Sequence, residues 1–137
     1  MTQDCLFCKI LAGELPCDKV YENDQFIAFQ ALHQVSKGHT LIVPKEHSQD
    51  ILDMDTDLGK ELLSTIQKIG TATIKGLGAS GFNIGVNTKP SAGQVIFHTH
   101  IHIIPRYEND NMEMWKEKPT EAEDRTLFAQ KIISALD

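Results

Sequence analysis

At 137 residues the chain has room for one hydrophobic core and too few residues for two of ordinary size. Its 41% hydrophobic and 23% charged content is that of a folded globular protein and excludes a low-complexity or disordered chain. A net charge of -6 without any cluster of Lys or Arg argues against nucleic acid as a partner, and no apolar run is long enough to span a membrane.

The start, Met1-Thr2-Gln3-Asp4-Cys5, has neither a basic n-region nor an apolar h-region, which points to a cytoplasmic protein. Asp4 as an acidic N-cap and Gly13 as a stop frame a short helix that carries Cys5 and Cys8 at its beginning. After Pro16, strands around Lys19 to Glu22 and Gln25 to Gln30, with Asn23-Asp24 as turn material, read as a hairpin. The segment His39 to Val43 is a third strand, rich in β-branched residues and ended by Pro44. From about Thr56 to Lys75, Leu58, Leu62, Ile66, Ile69 and Thr73 recur at helical spacing, so a long amphipathic helix is expected there. Gly76, Gly78 and Gly81 break that pattern and lead into a strand from Phe82 to Asn87. A polar loop from Thr88 to Gly93 precedes a last strand from about Val95 to Ile104, halted by Pro105. A second polar loop runs from Arg106 to Pro119, and its Met114 and Trp115 are expected to pack on their own domain rather than on a partner subunit or a ligand. Thr120-x-x-Glu123 resembles a capping box opening a C-terminal helix, with Leu127, Phe128, Ile132 and Leu136 as its apolar face.

The chemistry concentrates in His98-Thr99-His100-Ile101-His102. In an extended chain, alternate side chains share a face, so the three imidazoles form a row at roughly 6.5 to 7 Å spacing while Thr99, Ile101 and Ile103 turn to the core. A solvated sheet face that carries histidines is the plain alternative. Imidazole is largely neutral at pH 7, so a ring nitrogen can ligate a metal or attack an electrophile, and both uses stay open. A nucleophilic histidine needs its far nitrogen held by an acceptor, commonly a backbone carbonyl. It also needs donors for phosphoryl oxygens, and Asn87, Gln94 and the amides of the Gly93 turn lie nearby in sequence. Three cysteines is an odd count, and Cys5-x-x-Cys8 suggests metal binding or redox chemistry, with Cys17 a bystander.

The stretch Ala92-Gly93-Gln94-Val95-Ile96-Phe97-His98-Thr99-His100-Ile101-His102-Ile103-Ile104-Pro105-Arg106 resembles the signature of the histidine triad (HIT) superfamily. Cys5-Leu6-Phe7-Cys8-Lys9-Ile10, Ala28-Phe29 and Gly38-His39-Thr40-Leu41-Ile42-Val43-Pro44-Lys45-Glu46-His47 follow the order of its Hint-like bacterial branch. The resemblance implies an α+β fold: an antiparallel sheet of about five strands, one long helix, a short N-terminal helix and a C-terminal helix, paired into a homodimer. It implies a single domain over 1–137, with a core of about 5–106 and an extension over 107–137. It further implies a hydrolase or transferase acting on nucleoside phosphoramidates, acyl-nucleotides or dinucleoside polyphosphates through a covalent nucleotidyl-histidine. By position His100 is the nucleophile, His98 and His102 flank the phosphate, and His39 belongs to the proton network behind them. Asn87, Gln94 and Gly93 would meet the phosphate, with Phe29 and Leu32 along the nucleotide. Some bacterial relatives also hold a structural zinc, for which the matching residues are Cys5, Cys8, His47 and His98.

Two positions depart from the family pattern. Ala31 stands where an acidic residue usually holds the ribose, and Val95 replaces a hydroxyl residue that helps orient the phosphate. These two support a competing reading, a non-catalytic dimeric module that binds nucleotides and signals through partners. A third reading makes the three histidines ligands of a catalytic metal. His33 reads as a surface turn residue.

Overall fold

Phe26-Ile27-Ala28-Phe29 and Thr40-Leu41-Ile42-Val43 have almost no polar alternation, which suits strands covered on both faces. The computed structural model, which describes residues 4–136, places them at the centre of one antiparallel sheet: β1 (Lys19–Glu22), β2 (Phe26–Gln30), β3 (Thr40–Pro44), β4 (Gly81–Gly85) and β5 (Ile101–Arg106), in spatial order β1-β2-β3-β5-β4. Three α-helices complete the fold: α1 (Leu6–Leu11), α2 (Gly59–Leu77) and α3 (Ala122–Ala135). Met1, Thr2 and Gln3, read above as carrying no leader, lie outside the described residues, as does Asp137.

Register divides the sheet side chains into two sets. Ile27 pairs with Val43 and Phe29 with Leu41, and these four face α1, packing with Phe7, Cys5 and Cys8. Phe26, Ala28, Ile42, Ile101 and Ile103 turn the other way, against Ile69, Leu62 and Ile66 of α2. That apolar stripe is the one its periodicity predicts. Gly70 lets α2 approach β4, since a Cβ there would lie 2.3 Å from the Cζ of Phe82. A 3-10 turn over Thr56–Leu58, capped by the Asp55 carboxylate on the amide of Asp57, starts the helix. It runs through Gly76 and closes at Gly78, whose left-handed φ of 70° aims its N–H at the Ile74 carbonyl.

The last strand differs most from expectation. It begins at Ile101, not Val95, and it continues through Pro105 to Arg106. Upstream of Ile101 a ladder to β3 has no partner left: Pro44 lacks an N–H, and its carbonyl accepts from His98 Nε2 at 2.8 Å. Pro105 is tolerated because β3 has already ended beside it. Its carbonyl accepts from Ser36 Oγ at 2.6 Å, so its nitrogen faces that open side while Phe82 of β4 lies opposite.

Both ends of the chain also depart from expectation. The N-cap of α1 is Cys5, not Asp4: its sulfur accepts from the Cys8 amide at 3.4 Å. Thr120 does not cap α3; Glu121 occupies that position without a side-chain cap bond, and the Arg125 guanidinium takes the Thr120 carbonyl. No residue of α3 is buried, and Leu127, Phe128, Ile132 and Leu136 stay exposed. Trp115 is 90% exposed and Met114 is exposed too, so neither packs into the core as expected. The arm around them is tied down by Arg106, which binds both Asp110 carboxylate oxygens, Asn83 Oδ1, the Met112 carbonyl and the Met114 sulfur. Its chain otherwise lacks regular structure until α3.

Candidate active and metal site

Only His102 lies on β5, where it pairs with Leu41 on the α1 side, so the three histidines are not successive alternate positions of one strand although their rings gather on that side. His98 is completely buried and His100 is 9% exposed, both on the α1 side, which rules out a solvated row of histidines. Their apolar alternates Thr99, Ile101 and Ile103 are buried as expected. Thr99 docks on the loop after β3: its N–H donates to the Ser48 carbonyl at 2.8 Å, and the two hydroxyls lie 2.6 Å apart.

Each imidazole has one nitrogen committed, and the hydrogen-bond pattern assigns the tautomers. His98 Nε2–H donates to the Pro44 carbonyl, leaving its Nδ1 as an acceptor. His100 Nδ1 donates to the His98 carbonyl at 2.7 Å, which leaves the Nε2 lone pair for chemistry. His39 Nδ1 accepts from the Val35 amide at 3.1 Å, so its Nε2 carries the proton donated to His102 Nδ1 at 2.9 Å. His102 Nε2–H is thereby a donor, buried and without a partner among the described residues. Burial pushes the pKa of His100 below 6.5, partly offset by the bond to the His98 carbonyl. His102 is lowered to about 4 by burial and then by the neighbouring charges of His100 and His39. Both rings are therefore neutral at pH 7.

Phe7 packs edge-on against His100 with ring centres 5.0 Å apart, and against His98 and Phe29. Sequence reasoning missed it as a site residue, although its position between the two cysteines of α1 ties it to their location. Phe29 is buried behind Phe7, whereas Leu32 is 92% exposed. Ala31 is buried and His33 exposed, and Val95 is 82% exposed. On the β4 side, an open cavity of about 380 Å³ is lined by His39, His102, Asn87, Arg106 and Trp115 among others.

Gln94 is 4% exposed and engaged with backbone. Its Oε1 accepts from the Lys89 amide at 2.9 Å, and its Nε2 donates to the carbonyls of Gln49 at 2.7 Å and Ile96 at 3.2 Å. In this arrangement its side-chain amide organises the loop from within. Asn87 lies across that loop, its Nδ2 donating to the Gly93 carbonyl at 3.4 Å. Gly93 supplies a φ of 90° where the loop turns. Lys89, also missed, adopts φ 75° and ψ 157°, a region essentially reserved for glycine and costing an L-residue about 1 to 3 kcal/mol. Its ammonium pairs with Asp50 Oδ2 at 2.8 Å, and that carboxylate is 4% exposed.

The four sulfur and nitrogen donors of Cys5, Cys8, His47 and His98 lie within 4.8 Å of one another and could hold a metal ion. A tetrahedron with zinc bond lengths has S···N edges of about 3.6 Å and an N···N edge of about 3.3 Å. The corresponding separations are 3.4 Å for Cys5 to His98, 3.4 Å for Cys8 to His47, 3.6 Å for Cys8 to His98, and 3.0 Å between the Nδ1 atoms of His47 and His98. The donor set fits a soft divalent cation, since His98 Nδ1 offers a lone pair beside two thiols. Among the described residues this is the one such set, so His98, His100 and His102 do not make a three-histidine metal site.

A HIT domain model matches residues 12–109, and the chain belongs to the HIT family, a superfamily of nucleotide-binding proteins and hydrolases. An adenylylsulfatase of Arabidopsis thaliana, HINT3, is 44% identical over 110 residues, which span 80% of this chain and 56% of that protein. A crystal structure of a Streptococcus mutans protein superposes with a TM-score of 0.92 at 38% identity, covering 100% of this chain and 88% of the other. A zinc-bound histidine triad protein of Mycobacterium smegmatis superposes with a TM-score of 0.77 at 32% identity, over 97% of this chain and 98% of that one. The five-stranded antiparallel sheet with one long helix is the α+β fold of this family.

Because Gln94 satisfies buried backbone groups, Gln94→Ala is expected to lower stability by about 1 to 3 kcal/mol. Thermal unfolding measures this, and an unchanged Tm would show that the side chain does not brace the loop.

Proposed function

We propose that this protein is a nucleotide phosphate hydrolase or transferase that forms a covalent nucleotidyl intermediate on His100. The observation that carries the reading is the 2.7 Å bond from His100 Nδ1 to the His98 carbonyl, which fixes the tautomer and leaves Nε2 as the nucleophile. In the first step the Nε2 lone pair forms a bond to phosphorus while the bond to the leaving group breaks. The positive charge that develops on the ring is stabilised by the Nδ1–H bond to the carbonyl. His102 presents its Nε2–H on a ring centred 5.0 Å from that of His100, as a donor to the phosphoryl or leaving-group oxygen or nitrogen. His39 holds the far side of that ring. Water then attacks phosphorus, releases a proton and the nucleoside monophosphate, and returns the lone pair to Nε2. Asn87 and the amides around Gly93 form the phosphate side of this site, and Phe29, Phe7 and Leu32 the nucleoside side.

The test is turnover of an adenosine phosphoramidate with rapid quenching. A burst of amine matching the enzyme concentration and an adenylylated protein are expected, and His100→Ala should lose at least about a thousandfold in kcat. Since burial keeps His100 unprotonated below the ordinary imidazole range, the acid limb of kcat/KM should fall below pH 6.5. An unaltered rate in the His100 variant would overturn the assignment.

The same reading gives Cys5, Cys8, His47 and His98 a structural zinc, in keeping with the zinc-bound M. smegmatis relative. The metal would pin α1 to the segment carrying His100, and a site with four protein ligands activates no water. Cytoplasmic reducing conditions would keep both thiols available as ligands. Protein purified without added zinc should carry close to one equivalent, and Cys8→Ser should lose both the metal and several degrees of Tm. A metal-free wild-type protein with the same Tm would exclude the site.

A homodimer completes the proposal, with 5–106 as the catalytic core and 107–137 as an extension of the same domain. A 14-residue helix is marginal in water by itself, and no residue of α3 is buried on its own chain. Leu63, Ile74 and Leu77 of α2 and Ile84 on the edge strand β4 are exposed apolar groups for a second copy to cover. Light scattering should give a dimer mass for the full chain and a weaker dimer after truncation at Thr120. A full-length monomer at micromolar concentration would refute it.

A further inference from the structure

Lys89 precedes Pro90 in a conformation that an L-residue does not hold unaided. Three attachments keep it there. Its N–H donates to Gln94 Oε1, its carbonyl accepts from the amides of Ala92 at 3.1 Å and Gln94 at 3.2 Å, and its ammonium is drawn back onto Asp50. The first two run to residues of the same loop, the first to Gln94, whose Nε2 in turn donates to the Gln49 carbonyl at 2.7 Å. Asp50 is the one partner outside the loop that Lys89 itself touches, and it is braced: Oδ1 accepts from the Leu52 amide at 2.8 Å, and the Asp50 amide donates to Asp53 Oδ1 at 3.0 Å. A buried carboxylate thus anchors the strained residue to a separate, braced segment. The ammonium is directed at that anchor and neutralised by it.

We infer that the Asp50–Lys89 ion pair is a latch that holds residues 87–94 in the shape that presents Asn87 and the loop amides to a phosphoryl group. Both are positioning residues for the reaction proposed above, and the inference rests on that reading of the loop. Lys89 acts through its backbone: rotation at this residue would shift Asn87, two positions upstream, relative to Gly93, whose carbonyl Asn87 touches. Without the latch, the loop relaxes toward negative φ at position 89 and the two sides of the phosphate site separate.

Binding of AMP and of adenosine by calorimetry, with Tm alongside, separates this role from a general one. Asp50→Asn and Lys89→Ala should weaken AMP binding about tenfold while leaving adenosine within about twofold. The double variant Asp50→Asn/Lys89→Gly removes both charges but gives the strained position to the residue that suits it, so AMP affinity should stay within about threefold of wild type. Three results overturn the latch: AMP affinity unchanged in both single variants, AMP and adenosine affinities falling together, or a double variant as weak as Lys89→Ala, which would mean that the ammonium itself meets the phosphate. Wild-type protein that binds AMP without turning over a phosphoramidate defeats the hydrolase proposal alone, and the latch is then judged on the affinities. Wild-type protein that does not bind AMP defeats both.

Discussion

The bond from His98 Nε2 to the Pro44 carbonyl is the constraint on which the site depends. It occupies the acceptor that a continuing ladder between β3 and the next strand would use, so the chain leaves the sheet plane before Ile101. It also sets the His98 tautomer, turning a lone pair toward Cys5, Cys8 and His47. The His98 carbonyl, placed by the same turn, receives His100 Nδ1–H and so determines which nitrogen of that ring is basic. One hydrogen bond thus orders two rings with opposite duties.

The packing explains why this arrangement is stable. Because β2 and β3 are apolar on both sides, the sheet has a second interior on the α1 face, where Phe7 sits edge-on to both rings. Burying imidazoles there costs their charged forms, as the lowered pKa values of His39, His100 and His102 express. Each ring has at least one nitrogen fixed by a protein partner. The loop after β3 supplies the remaining bracing through Ser48, Gln49 and Asp50, each contacting a different point of the segment from Lys89 to Thr99.

Much of this was legible from residue patterns. The stripe from Leu58 to Thr73 announced α2, and the apolar runs announced β2 and β3, because local periodicity and burial coincide there. Alternation in 98–102 identified the side of Ile101 and Ile103, but it could not show that the ladder stops, since that depends on a proline carbonyl 54 positions away in sequence. The cysteine spacing and His47 pointed to the donor cluster through family resemblance, and the geometry agrees. Nothing in the residue types marks Lys89, because lysine before proline is ordinarily extended at negative φ. The resemblance points to Gln94 as a residue of the site, but not to its bonds with the Lys89 amide and the Gln49 and Ile96 carbonyls, which only the folded loop brings near. The apolar face of α3 was correctly composed, yet composition does not say on which molecule it rests.

Arg106 is the last residue of β5 and the first tether of the arm: four of its contacts reach Asp110, Met112 and Met114 of the arm, and a fifth reaches Asn83 of β4. A tug on the C-terminal segment is therefore spent on a guanidinium clamp before it can shear the strand that carries His102 four residues upstream. The same clamp sets Met112, Met114 and Trp115 of the arm along the cavity that His39 and His102 line, so one guanidinium joins the tail to the rim of the site.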